Sequence, residues 1–294
     1  MRVEPVVGRA LVEVVVKSSN PVLGRLDQAA AAERTAGTIY PGPQQQAYGP
    51  VDYGGYGQPP VMDVRAPGRA MTLDDVVVRT IALVGLVVLS AAASWTLLRS
   101  GPVVTFAVVG SSIAGLVLVF TISFGRVTNP ALIGLYAVVE GVLLGVVSRV
   151  FEHAYPGIVV QAVAATLAVF FGMAALYKFR VIRATPRFTR WVVGALIGVV
   201  TLSLVNWLLA LFGKNLGLVY YGPTDKPGMW AIVFSLICIG VGALTFILDF
   251  DLVERGVRYG LPERYAWYCA FGLVVGLIYL YWQILRMLGY LRNN

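Results

Sequence analysis

From Thr72 onward the chain repeats one pattern seven times: an uncharged apolar run of about 20 residues, then a short polar break. The runs fall at approximately 80–98, 102–124, 130–148, 157–177, 191–212, 229–248 and 265–285. A run of that length crosses a hydrocarbon core about 30 Å thick as a helix, which satisfies its own backbone hydrogen bonds where no water can. The pattern predicts an all-α fold, a polytopic membrane protein with a seven-transmembrane-helix bundle over 72–294. Composition agrees, since 58% of residues are hydrophobic and 13% charged, against about 25% charged in soluble domains. An odd number of spans puts the two ends of the bundle on opposite sides of the membrane.

Residues 1–71 differ in kind. The stretch YPGPQQQAYGPVDYGGYGQPP at 40–60 has little to build a core from, so 1–71 is expected to be a disordered N-terminal tail rich in Pro, Gly, Tyr and Gln. Glu4 and Glu13 interrupt the apolar residues of MRVEPVVGRALVEVVV, which therefore does not read as a signal peptide.

The net charge is +8, from 23 basic and 15 acidic residues. The basic residues flank apolar runs, as orientation signals and anionic-lipid contacts do, so no nucleic-acid partner is expected. With the N-terminus inside, inner segments hold twelve Lys and Arg and outer segments six. That asymmetry predicts a cytoplasmic N-terminus and an external C-terminus. The densest group, Lys178, Arg180, Arg183, Arg187 and Arg190, makes the 178–190 loop the expected contact with anionic lipids of the bilayer. The predominance of Arg over Lys beside abundant Ala, Val and Gly suggests a GC-rich bacterial genome.

Glycines four apart occur at Gly141/Gly145, Gly194/Gly198 and Gly272/Gly276. Such spacing gives a helix a flat strip that a neighbour can approach closely, and together the pairs favour a tight bundle.

Polar groups inside a bilayer need a compensating reason. Glu140 alone interrupts the apolar runs, ten residues into the third span and roughly 15 Å deep at 1.5 Å per residue. It is either a neutral, hydrogen-bonded link between helices or an ion-path residue. Asp249 and Asp251 close the sixth span in FILDFDLVERG. Residues two apart on a helix point about 200° apart, so the two cannot face one cavity. Backward from Asp249 run Thr245, Gly242 and Val241, a strip suited to helix contact, which turns Asp249 inward. Asp251 is then left at the interface, with Arg255 as its local ion-pair partner at i+4.

Cys238 and Cys269 match no metal or disulfide spacing, and the single histidine, His153, reads as an interfacial residue. No GxSxG, HExxH or Walker A motif is present, so no enzyme is expected and no tightly bound cofactor either.

Seven closely spaced spans, NPALIGLYAVVEGVLLGVVS at 129–148, DFDLVERG at 249–256 and AFGLVVGLIYLYWQILRMLGYL at 270–291 together resemble the Bax inhibitor family, the transmembrane Bax-inhibitor-motif proteins, in its bacterial branch. The resemblance implies a pH-sensitive calcium leak of the bacterial inner membrane, with calcium as the transported ion. It also supplies a rival of another class, a non-conducting adaptor that modulates a membrane-bound protease. The family's sensor pairs an aspartate at the inner end of helix six with one in helix seven, linked to an arginine near the start of helix three. By position these correspond to Asp251, with Asp249 one register away, and Arg126. Gly276 stands where the second aspartate is expected, and 265–285 contains no acid. Glu140, at a similar depth, is the candidate substitute, which makes Asp251, Asp249 and Glu140 the expected calcium ligands. In the tail, SSNPVLGRL at 18–26 resembles the start of related bacterial proteins, so 1–15 reads as an over-extended start.

Overall fold

The computed structural model describes residues 69–98, 101–212, 216–219 and 228–293. The expectations for residues 1–68, including the over-extended start, lie outside them, as do Arg65, Arg99, Lys214 and Lys226 of the charge count. Seven helices occur among the described residues: α1 (Leu73–Leu97), α2 (Pro102–Gly125), α3 (Pro130–Ala154), α4 (Ile158–Lys178), α5 (Pro186–Leu211), α6 (Met229–Arg258) and α7 (Tyr265–Arg292). All seven are long and apolar enough to cross a membrane, as the seven runs predict.

The helices outlast their apolar runs because local signals, not the hydrocarbon boundary, start and stop them. Thr72 opens α1 with a capping box: its hydroxyl accepts from Asp75 N at 3.2 Å, and Asp75 accepts from Thr72 N at 2.9 Å. That pairing satisfies two otherwise orphaned donors. Proline begins α2, α3 and α5, where its missing N–H costs nothing. Asn129 and Thr185 cap α3 and α5 through their side-chain oxygens. At its far end α2 stops on Arg126, whose φ of 47° is left-handed.

Within the spans, hydroxyls turn back onto the preceding helical turn. Thr80, Ser111 and Thr166 donate to the carbonyls four residues earlier, and Ser90, Ser94 and Thr245 to those three residues earlier. Such bonds satisfy polar groups for which the hydrocarbon offers no partner.

Helix α3 packs against α1, α2, α4 and α7, whereas α5 touches only α6 among the helices. The closest approach lies between α1 and α3. A Cβ on Gly141 would fall 1.8 Å from Ser90 Oγ and 2.5 Å from Val87 O, and one on Gly145 would fall 2.2 Å from Ala91 O. Here the glycine strip is a true contact surface. Gly194 and Gly198 have nothing within 4 Å of the same position, so that pair joins no helices within the chain.

Ahead of α1, Met71 is buried and its N–H donates to Leu261 O at 2.8 Å, while Glu263 N donates to Arg69 O at 3.0 Å. Arg79 follows the same direction, reaching Glu263 Oε1 at 2.5 Å and stacking over Trp267. The start of α1 is thereby tied to the α6–α7 turn. On the opposite face, Arg292 donates to Pro156 O and Gln161 Oε1, both at 3.0 Å, and ties the end of α7 to the α3–α4 turn.

The α1–α3 contact tolerates no added volume. Gly145→Leu is expected to cost about 3 kcal/mol or more, the upper range for overpacking, and Gly194→Ala to stay within about 0.5 kcal/mol. Thermal unfolding and size-exclusion of the purified protein in detergent check both.

Candidate functional site

Helices α6 and α7 run antiparallel with their facing stripes in register. On α6 the stripe is Ser235, Cys238, Gly242, Phe246 and Asp249, with steps of three or four residues that keep one face. On α7 it is Gly276, Tyr279, Gln283 and Arg286. A Cβ on Gly242 would lie 2.7 Å from the Tyr279 ring, and one on Gly276 would lie 2.9 Å from Phe246 Cε1 and 3.7 Å from Asp249 Oδ2. Each glycine receives a large side chain from the opposite helix.

Three acids close together in sequence take three directions at the end of α6. Asp249, partly buried, faces α7 beside Gly276. Among the described residues it has no hydrogen-bond or ion-pair partner. Asp251 turns away and pairs with Arg255 at i+4. Glu254 accepts from Tyr177 of α4 at 2.5 Å and pairs with Arg258 at 2.7 Å. Of these three acids, Asp249 is the one beside position 276.

The other candidates do not join this place. Arg126 is exposed at the end of α2 and forms no ion pair with either aspartate among the described residues. Glu140 lies in a different interface: its Oε1 is 2.5 Å from where a Cβ on Gly115 of α2 would be. Depth alone suggested Glu140 as a companion for the helix-six acid, but its azimuth turns it to α2. As calcium ligands, Asp249, Asp251 and Glu140 point into separate surroundings. No group of three or more His, Cys, Asp or Glu is placed to hold a metal ion among the described residues.

Three residues of this seam carry no separate motif in the sequence. Tyr279 reaches Cys238 O at 3.5 Å. Arg286, counted by sequence as an outer flanking charge, is only 8% exposed, and its Nη2 donates to Gln283 Oε1. The signal that finds them is the shared helical spacing with Gly276.

At the other end of the molecule, Trp95, Thr96, Arg149, Glu152 and His153 line an open cavity of about 320 Å³. Its charged groups already serve the backbone. Arg149 donates to Trp95 O at 2.9 Å, covering the C-terminal carbonyls of α1, and Glu152 accepts from Gly157 N at 2.6 Å and Val159 N at 3.1 Å at the start of α4. Both are the charges that helix ends favour.

Position 276 is a steric as well as a chemical choice. Gly276→Ala drives a methyl into Phe246 and is expected to lower stability by about 1–2 kcal/mol, with part of the loss recovered by Phe246→Leu in the same chain. Asp251→Asn, which breaks an accessible i,i+4 pair, is expected to cost under about 0.5 kcal/mol. Denaturation midpoints of the three variants measure the difference.

Among protein families, the model described as Bax inhibitor 1 like matches residues 20–293. No curated protein matches the chain. The match runs through all seven helices, the DFDLVERG end of α6 and the α7 stripe, and by it the chain belongs to the Bax inhibitor 1 like family, as a multi-pass membrane protein.

Proposed function

We propose that the chain is a pH-sensitive calcium leak of the bacterial inner membrane rather than an enzyme, with Asp249 as the carboxylate on the ion path. The observation that carries this reading is the position of Asp249: an acid between two spanning helices, without a protein partner among the described residues, beside Gly276 of α7, which carries no side chain to pair with it. A carboxylate in such a place is stabilised by whatever brings positive charge, and a proton and a calcium ion both do so. The two then compete for one group, which gives pH sensitivity without a second acid. Arg126 enters only if helix movement brings it to the seam, and Asp251 with Arg255 serves as a surface pair.

Orientation with the N-terminus in the cytoplasm is supported by the twelve-to-six basic bias. Two of the six outer cations, Arg149 and Arg286, are drawn into the bundle, which steepens the bias at the surface. Lys178, Arg180, Arg183, Arg187 and Arg190 are all exposed, as contact with anionic lipid at the cytoplasmic surface requires.

Calcium flux from liposomes containing the full-length protein tests the reading. With pH varied from about 8 down to 4, flux is expected to fall as the carboxylate is protonated, because that removes the charge that attracts calcium. Asp249→Asn should cut it about tenfold and flatten the pH profile. Asp251→Asn should change it less than about twofold. Background flux from the unaltered protein across that pH range would overturn the leak and favour the adaptor that modulates a membrane protease.

A further inference from the structure

Two buried side-chain atoms among the described residues have no hydrogen-bond partner, Ser235 Oγ and Arg286 Nε. The helix register brings them to one level. From Phe246 opposite Gly276 to Gly242 opposite Tyr279, α6 retreats four residues while α7 advances three. Seven further residues along each helix bring Ser235 opposite Arg286. Both belong to the facing stripes, and the Arg286 charge acts on Cys238 and Tyr279, the intervening residues of the same seam.

Each atom departs from what its surroundings lead one to expect. The other buried Ser and Thr hydroxyls of the spans bond to their own helix or, at Ser148, to Tyr281 across 2.6 Å. Ser235, 0% exposed, does neither. Arg286 carries a full charge at 8% exposure, yet its described partner is the neutral Gln283, and none of the ion pairs among the described residues includes it. A buried guanidinium needs both hydrogen-bond acceptors and a compensating negative charge. Gln283 supplies one acceptor and no charge, and it fixes the guanidinium through Nη2 while Nε has no hydrogen-bond partner among the described residues.

We propose that Ser235 Oγ and Arg286 Nε are the two donors of a binding site for a small monovalent anion, with the charge and size of chloride, between α6 and α7. Water could accept both hydrogen bonds but would leave the charge uncompensated; a halide does both. Enclosure sets the size class, because donors this deeply buried leave a bulky anion no approach. The site does not depend on calcium conduction, and it lies toward the opposite end of the seam from Asp249.

The test is halide-dependent stability of the full-length protein in uncharged detergent, with sodium chloride, sodium bromide and sodium gluconate compared at equal ionic strength. Chloride and bromide are expected to raise the Tm saturably over gluconate, by on the order of 3 °C at ten times the dissociation constant. Arg286→Lys keeps a cation but removes Nε, and Ser235→Ala removes the hydroxyl. Each should abolish most of the rise, and should Arg286→Lys fail to fold, Ser235→Ala decides alone. Crystals grown in bromide should show an anomalous peak between the two side chains. Equal Tm values in halide and gluconate, an undiminished halide response in the variants that fold, or a bromide-soaked crystal without that peak would each overturn the site.

Discussion

Helix α3 can lie against α1 only because Gly141 and Gly145 present backbone where any other residue would present a side chain. In hydrocarbon no hydrophobic effect drives helices together, so close packing and a few polar contacts have to do it. With one face of α3 set on α1, its other residues reach α7: Ser148 bonds Tyr281, Tyr136 meets Phe271 edge-on at 5.0 Å, and Phe151 fills the space over Gly289. Helix α7 is thereby held from behind and offers its remaining stripe to α6. The seam that carries Asp249 and Arg286 thus depends on a contact in which neither residue takes part.

Along that seam the order of groups has an electrostatic meaning. By register Asp249 is level with about residue 273 of α7, thirteen residues from Arg286, which is roughly 20 Å at 1.5 Å per residue. That is far beyond ion-pair distance, so the two charges cannot satisfy each other even though they share an interface. Between them stand Gly242, Tyr279, Cys238 and Gln283, groups that are small or polar without being charged. One interface therefore holds two separate charge problems of opposite sign, each with a cation or an anion as its natural remedy.

The spans are legible in the sequence because a bilayer permits little else: seven apolar runs of sufficient length leave a helical bundle as the answer. Their ends are less so, since an apolar run measures hydrocarbon thickness while Thr72, Thr185 and the prolines set where a helix begins. In DFD, helical geometry alone separates the two aspartates, and the small-residue strip behind Asp249 points it toward α7. Glu140 and Arg126 show where such reading stops. Depth along a span follows from counting residues, but direction around the helix depends on which neighbour packs there, and a single chain's pattern does not say whether α2 or α7 will. Arg286 stands within a few residues of a span end and so resembles a flanking charge, yet its place on the Gly276 stripe turns it inward.

Gly276 gives the seam its particular character. An aspartate there would face Asp249 directly, and two carboxyl groups in one apolar setting share a proton, each titration bound to the other. In this chain the space belongs instead to Phe246, which packs edge-on against Phe170 at 5.1 Å, with Phe250 completing the aromatic cluster. A carboxyl–carboxylate hydrogen bond is therefore not available across this seam. With one acid, the packing of α6 at this level rests on the rings around it, and the carboxylate takes no part in a protein hydrogen bond among the described residues. Under the proposed leak reading, the sensing and latching that a paired site would combine fall to different groups, Asp249 and the aromatic side chains that surround it.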